Sequence, residues 1–137
     1  MAENIKLEVV TPEKAVVSEE VKIVMAPGAD GEFGVLSGHT PFLSSLNVGI
    51  LRYEDTSGTE RVVFVSGGFA EALPDRVTVL AESAERKEDV DADRARAALL
   101  RAEKRLEGDR GGDLNVGRAK DALKRAMIRL QVSAARI

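Results

Sequence analysis

The 137-residue sequence predicts an antiparallel β-sandwich or barrel followed by an antiparallel α-helical hairpin. Three observations carry that prediction. Apolar residues recur at every second position up to Leu80 and at every third or fourth position after Asp89, the periods of strands and helices respectively. All four prolines and all five aromatics lie in residues 1–85. The charge reverses at the same place: residues 1–85 carry 6 Lys and Arg against 14 Asp and Glu, while residues 86–137 carry 14 against 9. A body of net −8 is thus joined to an arm of net +5, and such lobes attract one another or face different partners. The division is drawn at 1–85 and 86–137, with the polar run Glu82 to Asp89 as linker.

The strand pattern opens with Ile5, Leu7 and Val9 and continues with Val21, Ile23 and Met25. It resumes over Phe42 to Leu46, Val48 to Tyr53, Arg61 to Ser66, Phe69 to Leu73 and Val77 to Leu80. Turn signals separate these runs: Thr11-Pro12, Pro27-Gly28, Asp30-Gly31, Gly38, Asp55 to Gly58, Gly67-Gly68 and Pro74-Asp75. Glycine and proline at such points supply the backbone angles that turns require. No helix intervenes to make a parallel crossover, so antiparallel pairing is expected. Gly67-Gly68 reads as a tight strand corner.

After Asp89, Ala95, Ala98, Leu99, Ala102 and Leu106 form one apolar stripe, and Ala119, Leu123, Ala126, Met127 and Leu130 form another. Each is flanked by charges, as an amphipathic helix requires. Asp89 or Asp91 caps the first helix and complements its positive end. The run Gly108 to Asp113 breaks it, and Asp113 restarts capping. Stripes this rich in Ala bury little area, at ~25 cal/mol per Å², so the hairpin is expected to depend on docking for its stability.

Composition excludes several classes of function. With no Cys and one His, disulfides, thiolate metal sites and multi-His zinc sites are ruled out. The start, Met1-Ala2-Glu3-Asn4, has no signal-peptide pattern, and no stretch approaches the ~18 apolar residues of a membrane span. Any membrane association is therefore expected to be indirect. His39, in Ser37 to Pro41, is read as bonding loop backbone rather than as a catalytic or metal-binding group. Ser66-Gly67-Gly68 lacks the GxSxG frame, and no GxxxxGK[ST] or GxGxxG run is present. No catalytic or metal-ligating residue is assigned, and a hydrolase is the least favoured class.

The arm carries Arg94, Arg96, Arg101, Lys104, Arg105, Arg118, Lys120, Lys124, Arg125 and Arg129. Most are read as a solvated face supported by neighbouring acids. A nucleic-acid-binding module, a small β-barrel with a basic hairpin, is the alternative. It is weakened by an arm without aromatics and a chain of net charge −3, since single-strand binders stack bases on aromatic rings and need a positive footprint. A third reading docks the arm on an acidic protein surface or a nucleotide phosphate.

Gly31-Glu32-Phe33-Gly34-Val35-Leu36-Ser37-Gly38-His39-Thr40-Pro41, then Val65 to Phe69, then Val77 to Ala81 with Ala84-Glu85-Arg86, resemble the epsilon subunit of bacterial rotary, proton-translocating ATP synthases. The opening Val9-Val10-Thr11-Pro12 is similar too. The resemblance implies a non-catalytic stalk subunit with no required cofactor, held peripherally on the cytoplasmic side of the bacterial plasma membrane. Its sandwich would bind the gamma subunit and rest on the c-ring, passing rotation towards the alpha and beta subunits. Its hairpin would move between a docked and an extended state and, extended, restrain ATP hydrolysis. Glu32, Gly34, Leu36, Gly38, His39 and Pro41 are the candidate interface residues.

Some members of that family bind ATP as a regulatory ligand through an [I/L]DxxRA motif. The matching stretch is Val90-Asp91-Ala92-Asp93-Arg94-Ala95, with Glu85 before it and Arg101, Arg125 and Arg129 after it. By that resemblance Asp91 accepts from an adenine or backbone donor and the arginines hold phosphate oxygens. Two departures bear on it: Val90 has one carbon fewer than Ile or Leu, and Asp93 adds a negative charge. The competing reading leaves Asp91 as a helix cap and Arg94 paired with a nearby acid.

Overall fold

One sheet doubles over on itself in the computed structural model, which describes residues 3–108 and 116–136. Among the described residues its strands are β1 (Ile5–Val10), β2 (Ala15–Gly28), β3 (Gly31–Val35), β4 (Phe42–Ser45), β5 (Gly49–Asp55), β6 (Glu60–Ser66), β7 (Phe69–Leu73), β8 (Arg76–Leu80) and β9 (Ser83–Arg86). A 3-10 turn, Lys87–Asp89, leads into α1 (Ala92–Gly108), and α2 (Val116–Ala134) returns. The break expected over Gly108 to Asp113 lies, after Gly108, outside the described residues, as does the capping expected of Asp113.

The strand order is β4-β7-β8-β1-β2-β5-β6-β9, with β3 on β2. The long β2 belongs to both layers: Ala15 to Val21 pair with β1, while Val21 to Met25 pair with β5 and Val24 to Gly28 with β3. Apolar side chains from both layers meet between them, including Ile5, Leu7, Val9, Val24, Leu51, Val63, Val65, Val77 and Val79, each 0–1% exposed. Tyr53 is buried among them, and its hydroxyl accepts from Arg86 Nη1 at 3.4 Å. Burial pushes that phenol up to about 12. The β5–β6 turn is stapled by Asp55, which accepts from the Ser57 hydroxyl at 2.6 Å and the Thr59 amide at 2.9 Å. These bonds hold its carboxyl down at about 2.

Four expectations need correction. The pairing is not wholly antiparallel: β1 and β8 run parallel, because the chain traverses β2 to β7 between them and needs no helical crossover. Ile23 and Met25 do not share the core face of Val21. A β-bulge at Lys22 inserts an unpaired residue where β2 changes layers, so Val24 and Ala26 become the core residues and Ile23 and Met25 stay half-buried. An extra residue inverts the alternation of everything beyond it. Glu82 to Asp89 is no linker: Ser83–Arg86 add to the edge of β6, and Arg86 Nε donates to the Val16 carbonyl at 2.8 Å. Met127 leaves the buried stripe and is 46% exposed, while Val132 is fully buried.

α1 packs on α2 through the small residues Ala95, Ala102, Ala119 and Ala126, all buried. α2 in turn lies on β5 and β6. There Val132 and Ile128 meet Val62 and Phe64, with Val48, Ile50, Val90 and Ala135 around them. This contact explains why Val62 to Ser66 are buried without alternation: one face of β6 points into the sandwich and the other is covered by α2. Lys87 Nζ donates to the Ala135 carbonyl beyond the end of α2.

Gly68 turns the β6–β7 corner at φ +94°, and a Cβ there would stand 1.9 Å from the Leu80 carbonyl oxygen. Gly68→Ala is expected to destabilise the chain by at least about 2 kcal/mol, since positive-φ strain adds to a backbone clash. Urea denaturation followed by far-ultraviolet circular dichroism checks this.

Candidate functional site

Where the arm meets the body, a cleft of about 390 Å³ opens between β9, the 3-10 turn, the start of α1 and α2. Glu85, Asp89, Asp91, Arg94, Ala95, Ala98, Arg101 and Arg129 line it. Six of the eight residues nominated from sequence converge here: Glu85, Asp91, Arg94, Ala95, Arg101 and Arg129. Val90 instead packs in the apolar cluster beneath α2, and Arg125, half-buried one turn before Arg129, does not line the cleft.

Local rules place each side chain. Asp91 Oδ1 accepts from the Arg94 amide at 3.0 Å, which caps α1 at its N-terminus. With α1 started there, 3.6-residue periodicity puts Arg94, Ala95, Ala98 and Arg101 along one side of it. Ala95 and Ala98 keep that side low, so the longer arginines reach over them. Arg129 enters from α2, and its Nε donates to Glu85 Oε2 at 3.0 Å, both side chains being 28% exposed. Its guanidinium carbon lies 4.4 Å from the Phe64 ring centroid, a cation–π contact. Asp93 points elsewhere: it is 96% exposed and accepts from Arg96 at 2.8 Å.

Asp89, Ala98 and Phe64 belong to this region although none was singled out as part of a site from sequence. Ala98 was legible as part of the α1 stripe. Asp89 depended on the 3-10 turn, and Phe64 on α2 covering β6, neither of which local patterns specify. The cleft holds three carboxylates and three guanidiniums. Chemically it can bind an anion carrying several oxygens, because guanidinium forks bond such groups in pairs. Among the described residues no cluster of three metal-ligating side chains occurs.

The second nominated set occupies one end of the sandwich. Glu32 and Gly34 pair with Pro27 and Met25 on β2, and Glu32 stands 3.9 Å from Arg52. The loop that follows is pinned by the Gly38 amide to the Pro74 carbonyl at 2.7 Å and by the His39 amide to the Leu36 carbonyl at 3.2 Å. His39 Nδ1 donates to the Thr40 carbonyl at 2.5 Å, and its ring lies 6.3 Å from that of Phe42. His39 thus bonds loop backbone, as the sequence reading favours. Leu36 is 56% exposed, and Pro41 is exposed beside it.

An apolar surface that sequence reading passed over lies on the outer face of β4, β7 and β8. Phe69 and Leu80 are cross-strand neighbours, and Leu43 sits diagonally opposite Phe69. Their exposures are 56%, 55% and 68%. Adjacent large apolar groups left in water mark an interaction site. The signal was the alternation itself, in which Phe69 takes the outward phase of β7.

Two family models match the chain: ATP synthase, Delta/Epsilon chain, beta-sandwich domain over residues 4–87, and ATP synthase, Delta/Epsilon chain, long alpha-helix domain over residues 88–134. The chain belongs to the ATP synthase delta/epsilon family. It is 62% identical over 132 residues to the ATP synthase epsilon chain of Desulforapulum autotrophicum, covering 96% of this chain and 97% of that one. Against the epsilon chain of Syntrophobacter fumaroxidans the identity is 56%, covering 97% and 98%. A similar fold occurs in the Euglena gracilis mitochondrial ATP synthase, at TM-score 0.80 and 24% identity, covering 96% of this chain and 82% of that one. The junction between the two family models, at residues 87 and 88, falls inside the 3-10 turn.

Proposed function

We infer that the chain is a non-catalytic, epsilon-type subunit of the central stalk of a rotary ATP synthase. The observation that carries this is the family match through both parts of the chain, at 62% identity to a bacterial epsilon chain. A nucleic-acid module is displaced, because neither family model describes one. The sandwich is the body that binds gamma and meets the c-ring, so that ring rotation passes through it towards the alpha and beta subunits. The apolar face of Leu43, Phe69 and Leu80 supports docking on gamma, and the end formed by Glu32, Gly34, Leu36, Gly38, His39 and Pro41 supports contact with the ring. In this reading the complex holds the subunit peripherally on the cytoplasmic side of the bacterial plasma membrane. No helix among the described residues is long and apolar enough to cross a membrane.

The hairpin is the regulatory arm. It is seated by α2, with α1 riding on α2 through small side chains, so one contact surface controls whether both helices stay or leave. A ligand that binds only the docked form shifts that population by its differential affinity. ATP is the ligand proposed for the cleft, with Arg94, Arg101 and Arg129 towards its phosphates and Asp91 towards the base.

Phe69→Asp should weaken binding to gamma by at least about tenfold, as loss of a central apolar anchor does, with unchanged circular dichroism; gamma pull-down or interferometry reads it. Truncation after Asp89, which retains Arg86 and its bonds to the body, should leave gamma binding intact and relieve inhibition of hydrolysis in the assembled enzyme. Inhibition that survives the truncation would refute the arm mechanism. Calorimetric titration of the whole chain with ATP should give heat that Arg94→Ala reduces by about tenfold or more in affinity; no heat at millimolar ATP would leave Asp91 as a helix cap alone.

A further inference from the structure

Arg129 differs from the other two cleft arginines. Its Nε is committed to Glu85 at 3.0 Å and its flat face to Phe64 at 4.4 Å. Arg94 and Arg101 make no side-chain ion pair within the described residues. Glu85 comes from β9 of the body and Arg129 from α2 of the arm, so this pair is also a clasp across the docking interface.

The lining charges cancel: Glu85, Asp89 and Asp91 stand against Arg94, Arg101 and Arg129. An anion entering the cleft therefore meets two uncommitted guanidiniums and a third already neutralised. The edge of a guanidinium bonds a carboxylate or a phosphoryl group in the same geometry, and its face can remain on an aromatic ring while the edge changes partner. Arg129 can thus exchange partners by rotation alone, with Phe64 still beneath it.

We propose that Glu85 is a built-in competitor for the ligand, holding Arg129 when the cleft is empty and yielding it when a polyphosphate binds. This rests on the nucleotide reading above and adds the regulation of that site. The arm remains clasped without ligand, and ligand binding replaces the clasp rather than adding to it. Affinity is then set below what three available arginines would provide, and Glu85 is the residue that sets it.

The test is calorimetric titration of the full chain as wild type, Glu85→Gln, Glu85→Asp, Arg129→Ala and the Glu85→Gln/Arg129→Ala double variant, with ATP and separately with tripolyphosphate, each variant checked by circular dichroism. Glu85→Gln is expected to tighten both ligands by about five- to tenfold, the range for relieving competition at a charge-assisted bond. Glu85→Asp should give a smaller gain in the same direction, which keeps the test informative if Glu85→Gln misfolds. The gain should vanish in the Arg129→Ala background. If wild type binds but Glu85→Gln weakens ATP and leaves tripolyphosphate unchanged, Glu85 contacts the base and the proposal falls alone. A gain that persists without Arg129 also overturns it, because Glu85 then acts as a diffuse charge. Absence of binding by wild type and Glu85→Gln alike removes the nucleotide reading and this proposal together.

Discussion

The outer face of β6 is the constraint on which the arm, the cleft and the clasp all depend. Val62 and Phe64 would be left in water by the sandwich alone, and α2 covers them with Val132 and Ile128. Burying each large apolar side chain contributes roughly 1.5–3 kcal/mol, which exceeds what the alanine seam between the helices can supply. α1 therefore reaches the body chiefly by way of α2. Once α2 is seated, Arg129 is carried over Phe64 and within bonding distance of Glu85, and the cleft acquires its second wall. Undocking α2 would dissolve the cleft, the ion pair and the cation–π contact in one step.

This arrangement gives the arm a modest hold. The apolar cluster is small, the Glu85–Arg129 pair is partly solvated, and ion pairs of that kind contribute only modestly to stability. A contact surface of a few large side chains, backed by one ion pair and one cation–π contact, suits an element with two positions separated by a small free-energy gap. The body is different in kind. Its core is lined by buried aliphatic side chains from both layers, its β5–β6 turn is stapled by Asp55, and its β6–β7 corner is set by Gly68, where a Cβ would collide with the Leu80 carbonyl. The rigid part thus presents the exposed apolar face of Leu43, Phe69 and Leu80, and the marginal part forms one wall of the cleft.

Particular residues show how far local patterns reach. Ile5, Leu7 and Val9 alternate as a strand and are buried as one, and the stripes through Ala95 and Ala119 fold as the helices they spell. The phase departs from the local pattern where it depends on a partner. Lys22 is unpaired because β2 exchanges one layer for the other there, and nothing in its own neighbourhood announces that exchange. Ser83 to Arg86 carry too few apolar residues to read as a strand, yet the open edge of β6 offers them backbone hydrogen bonds. Met127 fits the helical stripe by spacing but faces away from both α1 and the sheet. Asp91, Arg94 and Ala95 are nameable in advance because a motif holds them together in sequence, and Glu85, Arg101 and Arg129 because the family resemblance places them with it. Asp89 and Phe64 are not, since their proximity comes from a turn and from the packing of α2 on β6.

The amino-acid order by itself determined the division into body and arm, the period of each element, the corner at Gly68 and the family to which the chain belongs. These are local properties, decided by steric limits on φ and ψ, by side-chain periodicity and by hydrogen bonds within a few residues. Tertiary structure alone decided that the junction beginning in a change of period and charge is a strand and a turn built into the body. It also decided that β1 lies parallel to β8, that α2 and not α1 seats the arm, and that Arg129 faces Glu85. Those outcomes join groups tens of residues apart, and only the burial of apolar surface from both ends at once selects them.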